Sequence, residues 1–197
     1  MNTALGSRAL YSFTGRDDNV SLGERSGYSI TTGSSNIAIG ANSLKVNSTG
    51  SSNTAVGFYA LAESTVSNNT AVGYYAAKVN TTGSGIVALG YRTLVANTTG
   101  DDNTAIGYEA LTANTTGVKN IAVGYQTLYS SVTGENNVAL GWKALYSNTG
   151  NNNIAIGRES QYSHTSGNSN VAIGQQSLYT NETGTDNVAI GVMALYT

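Results

Sequence analysis

One five-residue string, Asn-x-Ala-aliphatic-Gly, recurs in a single register along this chain and limits what it can fold into. Its glycine falls at Gly6, Gly23, Gly40, Gly57, Gly73, Gly90, Gly107, Gly124, Gly141, Gly157, Gly174 and Gly191. Successive anchors lie 17 residues apart, except for Gly57 to Gly73 and Gly141 to Gly157, which are 16 apart. Four residues before the anchor stands Asn, replaced once by Ile86, and two before it stands Ala, replaced once by Ser21. The residue just before the anchor is always Leu, Ile or Val, and the one three before is Thr, Val or Ile. A small residue follows three after the anchor and usually Leu four after, and most repeats carry a second, Thr-preceded Gly.

A period this short excludes the α-solenoids, whose repeats of 33 residues or more each hold two helices. Gly-punctuated, Asn/Thr-rich sequence is also poor helix material. Short strands fit instead. In Ile154-Ala155-Ile156, successive side chains point to opposite faces, so the two large aliphatics share one face and Ala lies on the other with Asn. The anchor Gly turns the chain because it adopts positive φ without steric cost. A second short strand is then expected to carry the Leu, with Thr-Gly turning the chain back. The predicted fold is all-β: a parallel β-solenoid, or β-roll, of about twelve coils of 16–17 residues spanning 1–197 as one repeat domain. Coils stacked at the strand spacing of about 4.8 Å make a rod on the order of 55 Å long.

The aliphatic pair, with Leu44, Leu61, Leu94 and Leu111, is predicted to fill a thin core. The uniform Ala suggests close approach of another backbone. Ala38, Ala55, Ala71, Ala88, Ala105, Ala122, Ala139, Ala155, Ala172 and Ala189 are therefore expected to face a neighbouring subunit, the alternative being a tight fit inside one coil. Neither end carries a polar cap, which solenoids use to stop their open strand edges from pairing with other chains. The chain is accordingly expected to be a segment of a longer fibre or adhesin.

Composition narrows the function. Hydrophobic content of 40% is too high for a disordered Gly/Ser linker. A net charge of -2 provides no basic footprint for nucleic acid and no polybasic segment for a membrane surface. No apolar run approaches a membrane-spanning length. Without Cys there are no disulfides, thiolate metal sites or cysteine nucleophiles. No cofactor or metal is expected, and no catalytic residue. His164, the only His, has Glu159 nearby in sequence but no carboxylate or nucleophile repeating in phase with it, and general acid–base chemistry needs a partner within hydrogen-bond reach.

The candidate contact residues are aromatic. Phe58, Tyr74, Tyr91, Tyr108, Tyr125 and Trp142 each follow an anchor directly. Tyr129, Tyr146, Tyr162, Tyr179 and Tyr196 lie five after one, as do Tyr11 and Tyr28. In-register rings could form a binding surface, or stack on one another and shield the coil edge. Asn19, Asn36, Asn53, Asn69, Asn103, Asn120, Asn137, Asn153, Asn170 and Asn187 read as a structural ladder of amides bonded between coils. Thr82, Thr99, Thr116, Thr133 and Thr149 form a corner row, which turn chemistry explains and which raises ice binding as an alternative. Asp17-Asp18 and Asp101-Asp102 read as solvated loops rather than a cation site, and the Asn-x-Thr sequons at Asn80, Asn97 and Asn114 as products of the repeat.

Strings such as Asn36-Ile37-Ala38-Ile39-Gly40 and Asn170-Val171-Ala172-Ile173-Gly174 resemble the YadA-like head repeats of trimeric autotransporter adhesins, and similar repeats fit phage and viral tail fibres. The resemblance covers the whole chain. It implies a left-handed parallel β-roll, a side-by-side homotrimer and adhesion at a bacterial surface or on a virion. The partners it implies are the other two subunits, flanking fibre domains and a host surface protein or glycan. The coils here are longer than the shortest head repeats, and Asn sits where those repeats often carry Ser. A passive rigid spacer is the alternative function.

Overall fold

Each repeat contributes one strand. The computed structural model describes residues 1–15 and 18–196. Twelve three-residue strands run from β1 (Thr3–Leu5) and β2 (Val20–Leu22) to β11 (Val171–Ile173) and β12 (Val188–Ile190). All lie in one sheet in chain order. Every pairing is parallel and keeps the repeat in register: Ala88 pairs with Ala105, and Ala105 with Ala122. The fold is thus an all-β parallel solenoid of about eleven turns, with no helix among the described residues.

The two strand faces are reversed relative to the sequence-based expectation. Ala38, Ala55, Ala71, Ala88, Ala105, Ala122, Ala139, Ala155 and Ala172 have no exposed surface, and Ala189 has almost none, all within a single chain. They point into the coil, so they do not face a neighbouring subunit. The aliphatics on either side of each Ala point outward instead, and Ile37, Val72 and Ile121 remain about 40% exposed. The cause is the thinness of the coil. Leu44, Leu61, Leu94, Leu111, Leu128 and Leu145 reach across from the opposite side and share one apolar cluster with the Ala row. In the one coil where Gln161 replaces this Leu, its amide bonds the Ile154 carbonyl of the strand at 2.9 Å. Only a methyl group fits between a strand and a side chain that spans the interior, so the close approach that selects Ala occurs inside the coil.

The Leu is not carried by a second strand. After each anchor the chain forms a ribbon of turns in which the second and fourth residues have positive φ: Arg92 at 53° and Leu94 at 49°, Glu109 at 53° and Leu111 at 51°. A non-glycine residue pays about 1 kcal/mol or more for this conformation. Hydrogen bonds between coils offset that cost, with the Leu44 N–H donating to the Ala60 carbonyl at 3.0 Å and the Leu94 N–H to Ala110 at 3.1 Å. At the corner between strand and ribbon the anchors adopt φ from 120° to 141°. A Cβ on Gly90 would lie 2.2 Å from the Gly107 carbonyl oxygen, so the glycine column lets successive backbones approach where a side chain would separate them.

Candidate functional site

The turn ribbon brings both aromatic runs into ladders. From Phe58 to Tyr125 the rings that follow the anchors stack at centroid spacings of 5.0–5.5 Å, nearly parallel, and Trp142 continues the column 6.2 Å from Tyr125. Tyr129, Tyr146, Tyr162, Tyr179 and Tyr196 form a second column at 5.1–5.4 Å, and Tyr11 stacks on Tyr28 at 5.3 Å. Within a column each ring covers the face of the next. What remains for solvent is the ring edge, with a phenol hydroxyl on every Tyr.

A third row lies between these columns. Residues two after each anchor form it, and their positive φ sets their direction. The Lys143 ammonium lies 4.7 Å from the Trp142 ring centre and 5.2 Å from that of Tyr146, bridging the two columns. The Arg158 guanidinium covers Trp142 at 5.2 Å. The Gln126 amide donates to the Glu109 carboxylate at 2.9 Å, and Gln176 repeats the bond to Glu159 at 3.0 Å. Burial, neighbouring phenols and Glu109 raise the Tyr146 hydroxyl above its ordinary pKa, and burial followed by Glu109 does the same to Tyr108. Where the first column begins, Tyr59 and Tyr75 widen the aromatic patch and Lys78 lies over both. This middle row was not recognised from the sequence. Its residue types change from coil to coil, and only constant phase relative to the anchor marks it.

The Asn ladder is buried and structural. Asn36 accepts the Asn53 N–H at 3.0 Å through Oδ1, and its own amide donates to the Gly50 carbonyl of the next coil at 2.9 Å. The same pair of bonds recurs at Asn120, which accepts from Asn137 and donates to Gly134. Ile86, in the place of an Asn, still donates its backbone N–H to Asn69 Oδ1 but has no side-chain amide to pass the ladder on. A second inner Asn row, including the sequon residues Asn80, Asn97 and Asn114, went unread in the sequence. Asn97 donates to Asn80 at 2.8 Å and Asn114 to Asn97 at 2.7 Å, and all three are fully buried. Recurrence three residues before the second Gly was the available signal.

His164 occupies a place in this second row. It is buried, faces the Asn170 amide through Nε2 at 3.1 Å and leaves Nδ1 without a partner. Burial lowers its pKa to about 4, so the ring is neutral at pH 7. Glu159 is not its partner, because that carboxylate bonds Gln176 and Arg158 on the outer ribbon.

Thr82, Thr99, Thr116 and Thr133 are exposed. The hydroxyls that bond between coils belong to the preceding row, where Thr81 donates to Thr98 and Thr98 to Thr115. Thr149, from a 16-residue coil, takes a place in that preceding row and donates to the Thr165 carbonyl. Asp101 accepts the Ser84 N–H and hydroxyl, Asp18 is exposed, and Asp17 lies outside the described residues. Among the described residues there is no pocket and no grouping of acidic or His side chains suited to a metal ion. The chain matches no protein-family model, no curated protein and no solved structure.

Proposed function

We propose that the chain is the rod of a trimeric surface fibre that mediates attachment to a host cell or surface. The observation that carries this reading is the outward face of the sheet. Each strand presents two outward side chains, the second always aliphatic and the first aliphatic or Thr, and the row continues from β1 to β12. A contiguous exposed apolar patch of this kind marks an interaction site. A partner that matches every rung must itself repeat at the strand spacing, about 4.8 Å. A second copy lying alongside does so. Three copies close into a ring with no aliphatic face left in water, consistent with the resemblance to trimeric adhesin heads and their left-handed roll. Attachment then falls to the turn ribbon, on a bacterial surface or a virion, with other fibre domains adjoining.

Sedimentation at micromolar concentration should give about three times the chain mass of 20.3 kDa. A folded species of one chain mass would sink the assembly. Ile121→Asp puts a charge on the exposed strand face and should release folded single chains. The mutual covering of ring faces favours a second reading, a passive spacer whose aromatics only stiffen the rod. Tyr91→Ala with Tyr108→Ala separates the two. Loss of attachment by a folded assembly supports the adhesive role, and unchanged attachment supports the spacer.

A further inference from the structure

The two aromatic columns overlap for two coils only. Tyr125 and Trp142 form one wall there, Tyr129 and Tyr146 the other, and Gln126 and Lys143 lie between them. We propose that this overlap is a subsite for a neutral, linear β-linked glycan lying along the rod axis, an assignment that rests on the attachment reading and names its ligand class. Three features converge on it.

The first is spacing. Rungs recur at 5.0–5.5 Å through most of the two columns, and the Tyr125–Trp142 step in the subsite itself is 6.2 Å. An extended β-1,4-linked pyranose chain advances by close to one rung per sugar with successive sugars turned over, so every rung meets one sugar and every second rung meets the same face. Peptides do not keep this step: a strand rises about 3.3 Å per residue and a polyproline helix about 3.1 Å, so neither places one residue on each rung. The second feature is the floor. Gln126 and Lys143, continued by Glu109 and Glu159, offer donors and acceptors with nearly balanced charge. That composition suits hydroxyl groups better than a polyanion. An amphipathic helix, whose roughly 5.4 Å pitch would fit the rungs, needs an apolar groove instead. The third is the walls. With ring faces stacked on each other, the Tyr residues present hydroxyls that both donate and accept, one per rung.

Trp142 is the single tryptophan and lies 39% exposed in one wall, so its emission reports on this subsite alone. The experiment titrates the full chain with linear cello- and chito-oligosaccharides from disaccharide to hexasaccharide. Saturable change in Trp142 emission is expected, with affinity rising about tenfold over the series. Lys143→Ala and Gln126→Ala should each weaken binding about tenfold while leaving far-ultraviolet circular dichroism unchanged. A silent Trp142 at millimolar hexasaccharide overturns the proposal, as does binding that ignores both substitutions or a stronger response to a proline-rich peptide. Attachment to host surfaces is measured in parallel. Attachment with a silent Trp142 removes the glycan and leaves the adhesive role, whereas a responding Trp142 without attachment does the reverse.

Discussion

The strand side and the turn side of each coil are built from the same repeat, yet they vary differently along the rod. On the strand side the outward positions stay aliphatic or Thr from one end to the other. On the turn side the residue after the anchor changes from Ser and Glu to a run of rings and then to Arg and Gln, while the Tyr column shifts to the fifth position. Both sides are held by the same hydrogen bonds between coils, so backbone geometry does not explain the contrast. A face that meets another repeat can stay uniform, because every rung meets the same neighbour. A face that engages a ligand over only a few coils is free to differ from one coil to the next.

The anchor glycine joins the two sides, and substituting it should have the largest effect. Gly90→Ala places a Cβ against the Gly107 carbonyl at a φ of 137° and strains both ribbons at once. A loss of more than about 4 kcal/mol is expected, read as a collapse of the thermal transition. If Gly90→Ala melts near the wild type, close backbone stacking does not join the two sides.

Next in size is the coil holding His164. Its folded pKa of about 4 lies below the value of roughly 6.5 for a free imidazole. Between those values the unfolded chain binds more protons than the folded one, so stability falls as the pH drops through that window. The total loss is about 3 kcal/mol. Protonation would also set two donors, Nε2–H and the Asn170 amide, against each other. His164→Asn restores the residue of the neighbouring coils and should flatten the pH dependence of Tm between pH 6.5 and 4. A slope that survives this substitution would place the titration elsewhere.

The smallest effect belongs to the rings. Tyr91→Ala removes two stacked contacts, at 5.4 Å and 5.0 Å, and about 1–3 kcal/mol by the usual worth of aromatic pairs. Chemical denaturation should show that loss in the single chain. If it shows none, the columns do not stiffen the coil and are retained for contact alone.

The strands, the anchor corner, the Leu core and the first Asn ladder were all legible in the sequence, because each depends on one residue type at one phase. The direction of the strand was not. Val-Ala-Leu offers two apolar faces, and size alone placed the larger one inside, whereas Leu94 crossing the interior leaves room only for Ala88 and Ala105. The left-handed turns at Arg92 and Leu94 were hidden for a related reason, since neither residue is Gly or Asn and bonds to the next coil hold them there. The aromatic columns could be read as ladders, but not which ring surfaces they leave free. The floor between them, with Gln126 and Lys143, varies too much in residue type to stand out.

The hydrogen bonds that join coil to coil tie residues about one repeat apart, as from Asn36 to Asn19 and from Asn153 to Asn137. The loop closed in adding a coil is therefore the same wherever the coil lies, and so is its entropic cost. Assembly becomes a templating process, slow only for the first coil and then proceeding one rung at a time. Lengthening such a rod by whole repeats would leave the time to add each rung unchanged, and every face would stay in line.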